Sequence, residues 1–322
     1  MKLSVALTTY NGAKYLGDQL ASFLAQTRPP DELVVCDEHS TDATAQILAD
    51  FQTSAPFPVR VVINDQRLGI IANFEKVIGL CAGDIVFLSD QDDYWHADKL
   101  ARHAAIYQAK PDVGLVFSDA EVVDGQRQPL GLRMSRQLGV TAERLAQLSG
   151  PRALHLLVRR PFLLGCTISF RASLRRYLTP FPVNQLHDNW IPFALATVTR
   201  FQGIADPLID YRSHNQQSVG VNDLRDGQPV ASARTRLDEC NHQGDLLDTL
   251  VAHVASFRDQ VQVRDFDQVI RGKQAYLRRR KGIATSGKTA RFLTIARDLI
   301  SGSYFRFAGY PKGEFLDDLR GR

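Results

Sequence analysis

The chain is poor in the features that would assign it quickly. Its 322 residues hold four cysteines, Cys36, Cys81, Cys166 and Cys240, far apart and with no Cys-x-x-Cys pair. That argues against a zinc site and a disulfide framework and points to a reducing compartment. No apolar run approaches the roughly 20 residues that span a bilayer. Strong charge of one sign is also missing: the net charge is +4, so a nucleic-acid partner is not expected. A strand begins almost at once, without a charged-then-apolar leader, which leads us to expect a cytosolic protein. There is no Gly-x-Gly-x-x-Gly after the first strand, no Gly-x-x-x-x-Gly-Lys-Ser/Thr and no Gly-x-Ser-x-Gly. Dinucleotide binding of the Rossmann type, P-loop phosphoryl transfer and the nucleophile elbow lose their main support. Internal repeats and long low-complexity tracts are absent too.

What is present is an alternation of short apolar runs and amphipathic segments. Leu3 to Thr9, Glu32 to Asp37, Val59 to Ile63 and Ile85 to Leu88 read as strands. Between them lie helical patterns: Ala13 to about Gln26 (Leu16, Leu20, Phe23, Leu24), a segment carrying Ile47, Leu48 and Phe51, and one after Gly69 carrying Phe74, Val77 and Ile78. This order predicts an α/β fold with a doubly wound, mostly parallel sheet flanked by helices. Further on, His96 to Gln108 and Leu186 to Val198 read as helices, Gly114 to Ser118 and Ile204 to Tyr211 as strands, and Asp119 to Gln147 is polar and hard to assign. From Ala231 onward only helices are expected. Residues 1–225 are the expected α/β domain, split near 110 into two halves, and 226–322 a helical appendage.

Chemistry gathers where strands end, because open parallel sheets bind ligands beyond the carboxyl ends of their strands. The fourth strand ends in Ser89-Asp90-Gln91-Asp92-Asp93. These carboxylates suit Mg²⁺ or Mn²⁺ bridging to a diphosphate; they also suit a solvated turn with Asp92 or Asp93 as helix cap. The first strand ends in Thr8-Thr9-Tyr10-Asn11-Gly12, where backbone N–H groups favour an anionic ligand and Tyr10 can stack on a base, or where the chain simply turns. The second ends in Asp37-Glu38-His39-Ser40-Thr41-Asp42: a carboxylate able to accept a pyrimidine imide N–H, followed by Ser40 or Thr41 as a helix cap and Asp42 on its dipole.

Taken in order, these three motifs resemble the family 2 glycosyltransferases of the GT-A fold, over about the first two thirds of the chain. The resemblance implies inverting transfer of a sugar from a nucleotide diphosphate to an acceptor hydroxyl, assisted by a divalent metal. Thr8, Tyr10, Asn11, Asp90 and Gln91 then fall in the nucleotide site, with Asp37 reading the base and Arg67 and Asn73 nearby. Asp90 and Asp92 match the metal-holding Asp-x-Asp. The usual Gly of Asp-Asp-Gly-Ser-Thr-Asp is His39 here, which should force on it a backbone conformation that Gly adopts more cheaply.

Gly165-Cys166-Thr167 before a strand, then His187-Asp188-Asn189-Trp190 opening a helix, resemble the rhamnosyltransferase-like members. The resemblance makes Asp188 the general base and places Gly165, Cys166, Thr167 and Trp190 on the acceptor and diphosphate side. Without it, Asp188 is an N-cap and Trp190 core. The segment from Asp210 to Gly220 resembles the loop that closes over the diphosphate, with Arg212 pairing a phosphate and His214 completing the metal site. Expected partners are a nucleotide-sugar donor, dTDP-rhamnose or a UDP-sugar, and a glycan or lipid-linked glycan acceptor. Two rivals are a sugar nucleotidyltransferase, which would want a basic Gly-rich first loop, and a non-catalytic nucleotide- or glycan-binding module.

Eight Lys or Arg and no acid lie between Arg271 and Arg291, followed by an apolar stripe of Phe292, Ile295, Ala296 and Leu299. Such a segment, about 271–300, fits an anionic membrane surface at the inner face of the cell membrane, or a solvated basic face on a helix packed against the domain.

Overall fold

The computed structural model describes residues 1–137, 140, 148–149, 152–161, 163–214, 224–225, 228–229, 236–309 and 311–320. In chain order the strands are β1 Leu3–Thr9, β2 Glu32–Asp37, β3 Val59–Ile63, β4 Ile85–Ser89, β5 Tyr94–Trp95, β6 Val113–Val123, β7 Pro129–Arg133, β8 Ile168–Arg171, β9 Arg200–Arg212, β10 Leu224–Arg225 and β11 Gln228–Pro229. The α-helices are α1 Ala13–Leu24, α2 Thr44–Ser54, α3 Ile70–Leu80, α4 Lys99–Ala109, α5 Met134–Gln137, α6 Ala153–Leu157, α7 His187–Leu195, α8 Arg236–Val254, α9 Phe266–Thr285, α10 Lys288–Ile300, α11 Ser303–Phe307 and α12 Pro311–Arg320.

One sheet runs β3-β2-β1-β4-β8-β6-β9-β5, with β7 added on β6. Strands β3, β2, β1 and β4 are parallel, as the alternation with α1–α3 requires. Beyond β4 the sheet becomes mixed: β8 is antiparallel to β4 and β6, while β6 and β9 are parallel. Central β4 is buried along its whole length, because helices cover both faces. Its Ile85 and Phe87 enter one core cluster and its Val86 and Leu88 the other.

The polar stretch after Asp119 resolves in part. β6 continues to Val123 and turns into β7; residues 141–147 lie outside the described residues. The carboxyl ends of β1, β2 and β4 share one edge, as the register Leu7–Ser89 and Thr9–Asp37 fixes.

The C-terminal helices divide in two. α8 and α9 extend the core: Leu246, Leu250, Val269 and Ile270 join the cluster that contains Trp190 and Phe193. The last helices gather around a smaller cluster of Tyr276, Ile283, Ile295, Tyr304 and Ala308. A buried ionic network ties it together. Asp298 accepts from Arg279 Nε at 2.7 Å and pairs with Arg280, which also meets Asp318 and Tyr304. Removing one member strands buried charge. Asp298→Ala should therefore cost about 3 kcal/mol. Limited proteolysis of the C-terminal helices would measure it, and wild-type resistance would refute it.

Candidate active site

The strand tips open onto a cavity of about 330 Å³. Asp90, Gln91 and Asp92 from the end of β4, Thr8 to Gly12 at and beyond the end of β1, Asn73 and Phe74 of α3, and His187 and Asp188 of α7 all line it. Asp188 reaches it because α7 begins at His187 and carries Asp188 in its first turn. The Gly165 N–H donates to Asp188 Oδ1 at 2.7 Å, and His187 Nε2 lies 2.8 Å from the same oxygen. Oδ2 takes no hydrogen bond from any described residue. Gly165 is constrained by this approach: a Cβ there would sit 2.2 Å from Asp188 Oδ1 and 2.5 Å from His187 Nε2. The His187 ring stacks on Phe74, centroids 3.6 Å apart. Burial opposes its charge, yet the Asp188 carboxylate outweighs that and holds the imidazole above its usual range.

Opposing charge is scarce around the acids. Burial, then the nearby Asp188 and Asp92 carboxylates, push Asp90 up to about 7 against the pull of His187. Burial, then the Asp92 and Asp90 carboxylates, raise Asp93 well above the carboxylate range, and its buried Oδ2 has no partner among the described residues. The buried Lys99 amine, which bonds to the Cys166 carbonyl at 2.6 Å, is itself pulled down to about 7 by burial.

A site with excess carboxylate and an unsatisfied oxygen fits a divalent cation. Asp92 and His214 present the entry side, with Oδ2 and Nε2 2.9 Å apart. Ligand atoms of Asp90, Asp93 and Cys166 lie within 4.8 Å of one another. Cys166 is a poor member of that group: burial and the two acids raise its thiol well above the ordinary value, and a hard cation prefers oxygen. Of the residues expected to hold the metal, Asp90 belongs to that close group, while Asp92 and His214 line the same cavity outside it.

Several residues stand apart from the roles expected of them. The N–H groups of the first turn are already used: Tyr10 donates to Gln91 Oε1 at 2.7 Å, Asn11 to Ser40 at 2.9 Å, Gly12 to Thr44 at 2.8 Å and Ala13 to Asp42 at 3.1 Å. They are not free to hold a phosphate. Gln91 also donates back to the Tyr10 carbonyl at 3.1 Å, so it clamps this turn while lining the cavity. Asn11 takes φ 47°, a left-handed position that Asn tolerates.

Asp37 is fully buried, accepting from Thr9 Oγ1 at 2.7 Å and from the Ser40 N–H and hydroxyl at 2.8 and 2.6 Å. It supports the cavity from behind; Glu38 is the acid in the wall, holding the Leu68 and Gly69 N–H groups before α3. Neither Ser40 nor Thr41 caps α2. Asp42 accepts the Thr44 N–H at 3.0 Å instead. His39 does adopt φ 60°, as the missing Gly requires, and its Nδ1 lies 3.2 Å from the Asn64 carbonyl.

Arg67 lays its guanidinium 3.8 Å over the Tyr10 ring, and Asn73 donates to the Cys36 carbonyl at 3.0 Å from the cavity wall. Arg212 is committed: it donates to the carbonyls of Asp92 and Gly125 and to the Asp18 carboxylate, and is 2% exposed. It anchors the strand end and is not presented to a phosphate. Cys166, Thr167 and Trp190 are core residues; the Trp190 indole donates to the Leu178 carbonyl at 2.8 Å. Asn215 to Gly220 of the expected closing loop lie outside the described residues. Glu38, Phe74 and His187 were not singled out in advance for the wall; adjacency to Asp37, to Asn73 and to Asp188 was the available signal.

The family model for glycosyl transferase family 2 matches residues 4–178, more than half of the chain. An uncharacterized glycosyltransferase of Nostoc sp. is 32% identical over 125 residues, covering 39% of this chain and 38% of its own. The dTDP-rhamnosyl transferase RfbG of Shigella flexneri is 25% identical over 236 residues, 67% of this chain and 74% of its own. The chain spans about two fifths of the length of the first curated relatives it matches. Among solved structures, S. aureus TarS in complex with UDP-GlcNAc superposes with a TM-score of 0.59 at 17% identity, over 99% of this chain and 90% of that one. Mannosyltransferase PcManGT from Pyrobaculum calidifontis, in complex with GDP-Man and Mn²⁺, gives 0.50 at 17%, over 99% and 87%. At that identity the likeness establishes the fold, GT-A.

Proposed function

We propose that this chain, which belongs to glycosyl transferase family 2, moves a sugar with inversion from a pyrimidine nucleotide-diphosphate donor to a hydroxyl of a growing surface polysaccharide. The observation that carries the reading is the meeting of Asp90, Asp92, His214 and Asp188 in the wall of one cavity. Asp188 takes the proton from the acceptor hydroxyl as that oxygen attacks the anomeric carbon. Its Oδ1 is held by the Gly165 N–H, which leaves Oδ2 for the proton. Asp90, Asp92 and His214 would hold Mg²⁺ or Mn²⁺, which stabilises charge on the departing diphosphate when bound. Tyr10, stacked under Arg67, offers a platform to the base.

The donor is dTDP-rhamnose or a UDP-sugar. RfbG is named for dTDP-rhamnosyl transfer and WfgD of Escherichia coli for UDP-Glc transfer to a diphosphoundecaprenol-linked sugar. A lipid-linked glycan as acceptor would place the protein in the cytoplasm, at the inner face of the membrane. Residues 1–225 form the transferase domain in this reading, and 226–322 the helical segment.

Thermal-shift measurement with dTDP- and UDP-sugars, with and without Mn²⁺, tests the donor assignment. A ligand present at 100 times its Kd stabilises the folded state by ~2.7 kcal/mol. A pyrimidine nucleotide-sugar should raise the melting point, and more so with Mn²⁺. No shift with any of them would remove the proposal.

A further inference from the structure

We infer that α10 and α11 form a docking surface for an anionic lipid bilayer. Helix α10 is amphipathic, but its broad apolar face points away from the protein. Phe292 is 64% exposed, Ile300 89% and the following Phe305 67%; Leu293 and Leu299 are exposed as well. At 3.6 residues per turn, Phe292, Leu293, Ala296, Leu299 and Ile300 share an arc of roughly 120°. Ile295 and Asp298 occupy the buried side.

This rotation is locked. Asp298 lies in the ionic network with Arg279 and Arg280, and turning the apolar face inward would pull its carboxylate out of that network. Four large apolar side chains of α10, Phe292, Leu293, Leu299 and Ile300, are thus held in contact with solvent by a buried ion cluster, the reverse of what a helix seeking only to pack would do.

The border of the patch identifies the partner. Lys288 and Arg297 are exposed at its two edges and Arg306 stands next to Phe305. The only acid in 288–306, Asp298, is buried. Phe305 and Arg306 also border a cavity of about 500 Å³ whose wall carries Arg152 and Arg159 against a single acid, Asp265, which lies 2.9 Å from His155, so arginine outnumbers acid beyond the helix as well. A second copy packed face to face by a two-fold axis would set this basic border against itself. An anionic leaflet satisfies both parts: apolar side chains enter the headgroup boundary while the cations meet phosphate. No helix among the described residues is long and apolar enough to cross a membrane, so the chain would lie on the surface. The inference rests on the lipid-linked acceptor proposed above for its purpose, but on its own residues for its evidence.

The test is co-sedimentation of the full chain with vesicles of phosphatidylglycerol and phosphatidylcholine, against phosphatidylcholine alone. The chain should bind the anionic vesicles, more weakly as salt is raised. Each of Lys288→Gln, Arg297→Gln and Arg306→Gln should weaken binding about fivefold. The combined Phe292→Ser, Ile300→Ser variant should weaken it at least about tenfold. These side chains are exposed, so circular dichroism and the thermal midpoint should match the parent chain. No binding to anionic vesicles, or equal binding by both sets of folded variants, overturns the inference. A dimer that Phe292→Ser, Ile300→Ser converts to monomer also overturns it, by assigning the face to a second copy. Donor affinity is measured separately in solution; its loss would remove the proposed activity while vesicle binding still supported this surface.

Discussion

Asp188→Asn should lower the rate of sugar transfer by roughly 10²–10⁴-fold, the usual contribution of a positioned base, and leave donor affinity near the parent value. The amide keeps the shape of the side chain and still accepts the Gly165 N–H through its oxygen, but it cannot take a proton. The donor side of the cavity is built by other elements, so binding and turnover should separate. Steady-state transfer assays beside nucleotide-sugar titrations read both quantities. Full activity in Asp188→Asn would remove the base; equal loss of binding and rate would make Asp188 a structural or donor-binding residue instead.

Gly165→Ala should be nearly as damaging although it adds one methyl group to a residue with no chemistry of its own. The new Cβ would lie inside contact distance of both Asp188 Oδ1 and His187 Nε2, so one of them must move. Misplacing a reacting group by about 1 Å costs on the order of 10²-fold in rate, whereas overpacking of this kind costs ~1–3 kcal/mol of stability. The expected signature is a large fall in kcat, a modest fall in Tm and unchanged donor affinity. A variant with parent kcat would show that Asp188 needs no such restraint.

The first half of the fold was legible because β1, β2 and β4 are buried on both faces and its helices on one. Periodicity and apolar runs therefore placed β1 to β4 and α1 to α3 to within a few residues. Even the strained turn at His39 could be foreseen, since the loss of a glycine has a local backbone consequence. Roles that depend on distant partners were not legible. Arg212 reads as a phosphate ligand in sequence, yet its guanidinium reaches Asp18, 194 residues away. Trp190 sits in a motif beside the base but faces the core. The amides after β1 are free in a strand-to-helix diagram and occupied in three dimensions, because Gln91, Ser40, Thr44 and Asp42 arrive from other loops. Helix α10 shows the same limit from the other side: its amphipathicity was plain, but only the Asp298 network tells which face looks outward.

A division of labour among the acids is the central claim, with Asp92 on the donor and Asp188 on the acceptor. The most direct test compares nucleotide-sugar affinity, in the presence of Mn²⁺, between Asp92→Asn and Asp188→Asn. The account predicts parent affinity in Asp188→Asn and a loss of at least about tenfold in Asp92→Asn, the equivalent of one charge-assisted contact of ~1.5 kcal/mol or more. Equal affinity in the two variants, whether retained or lost, would contradict it.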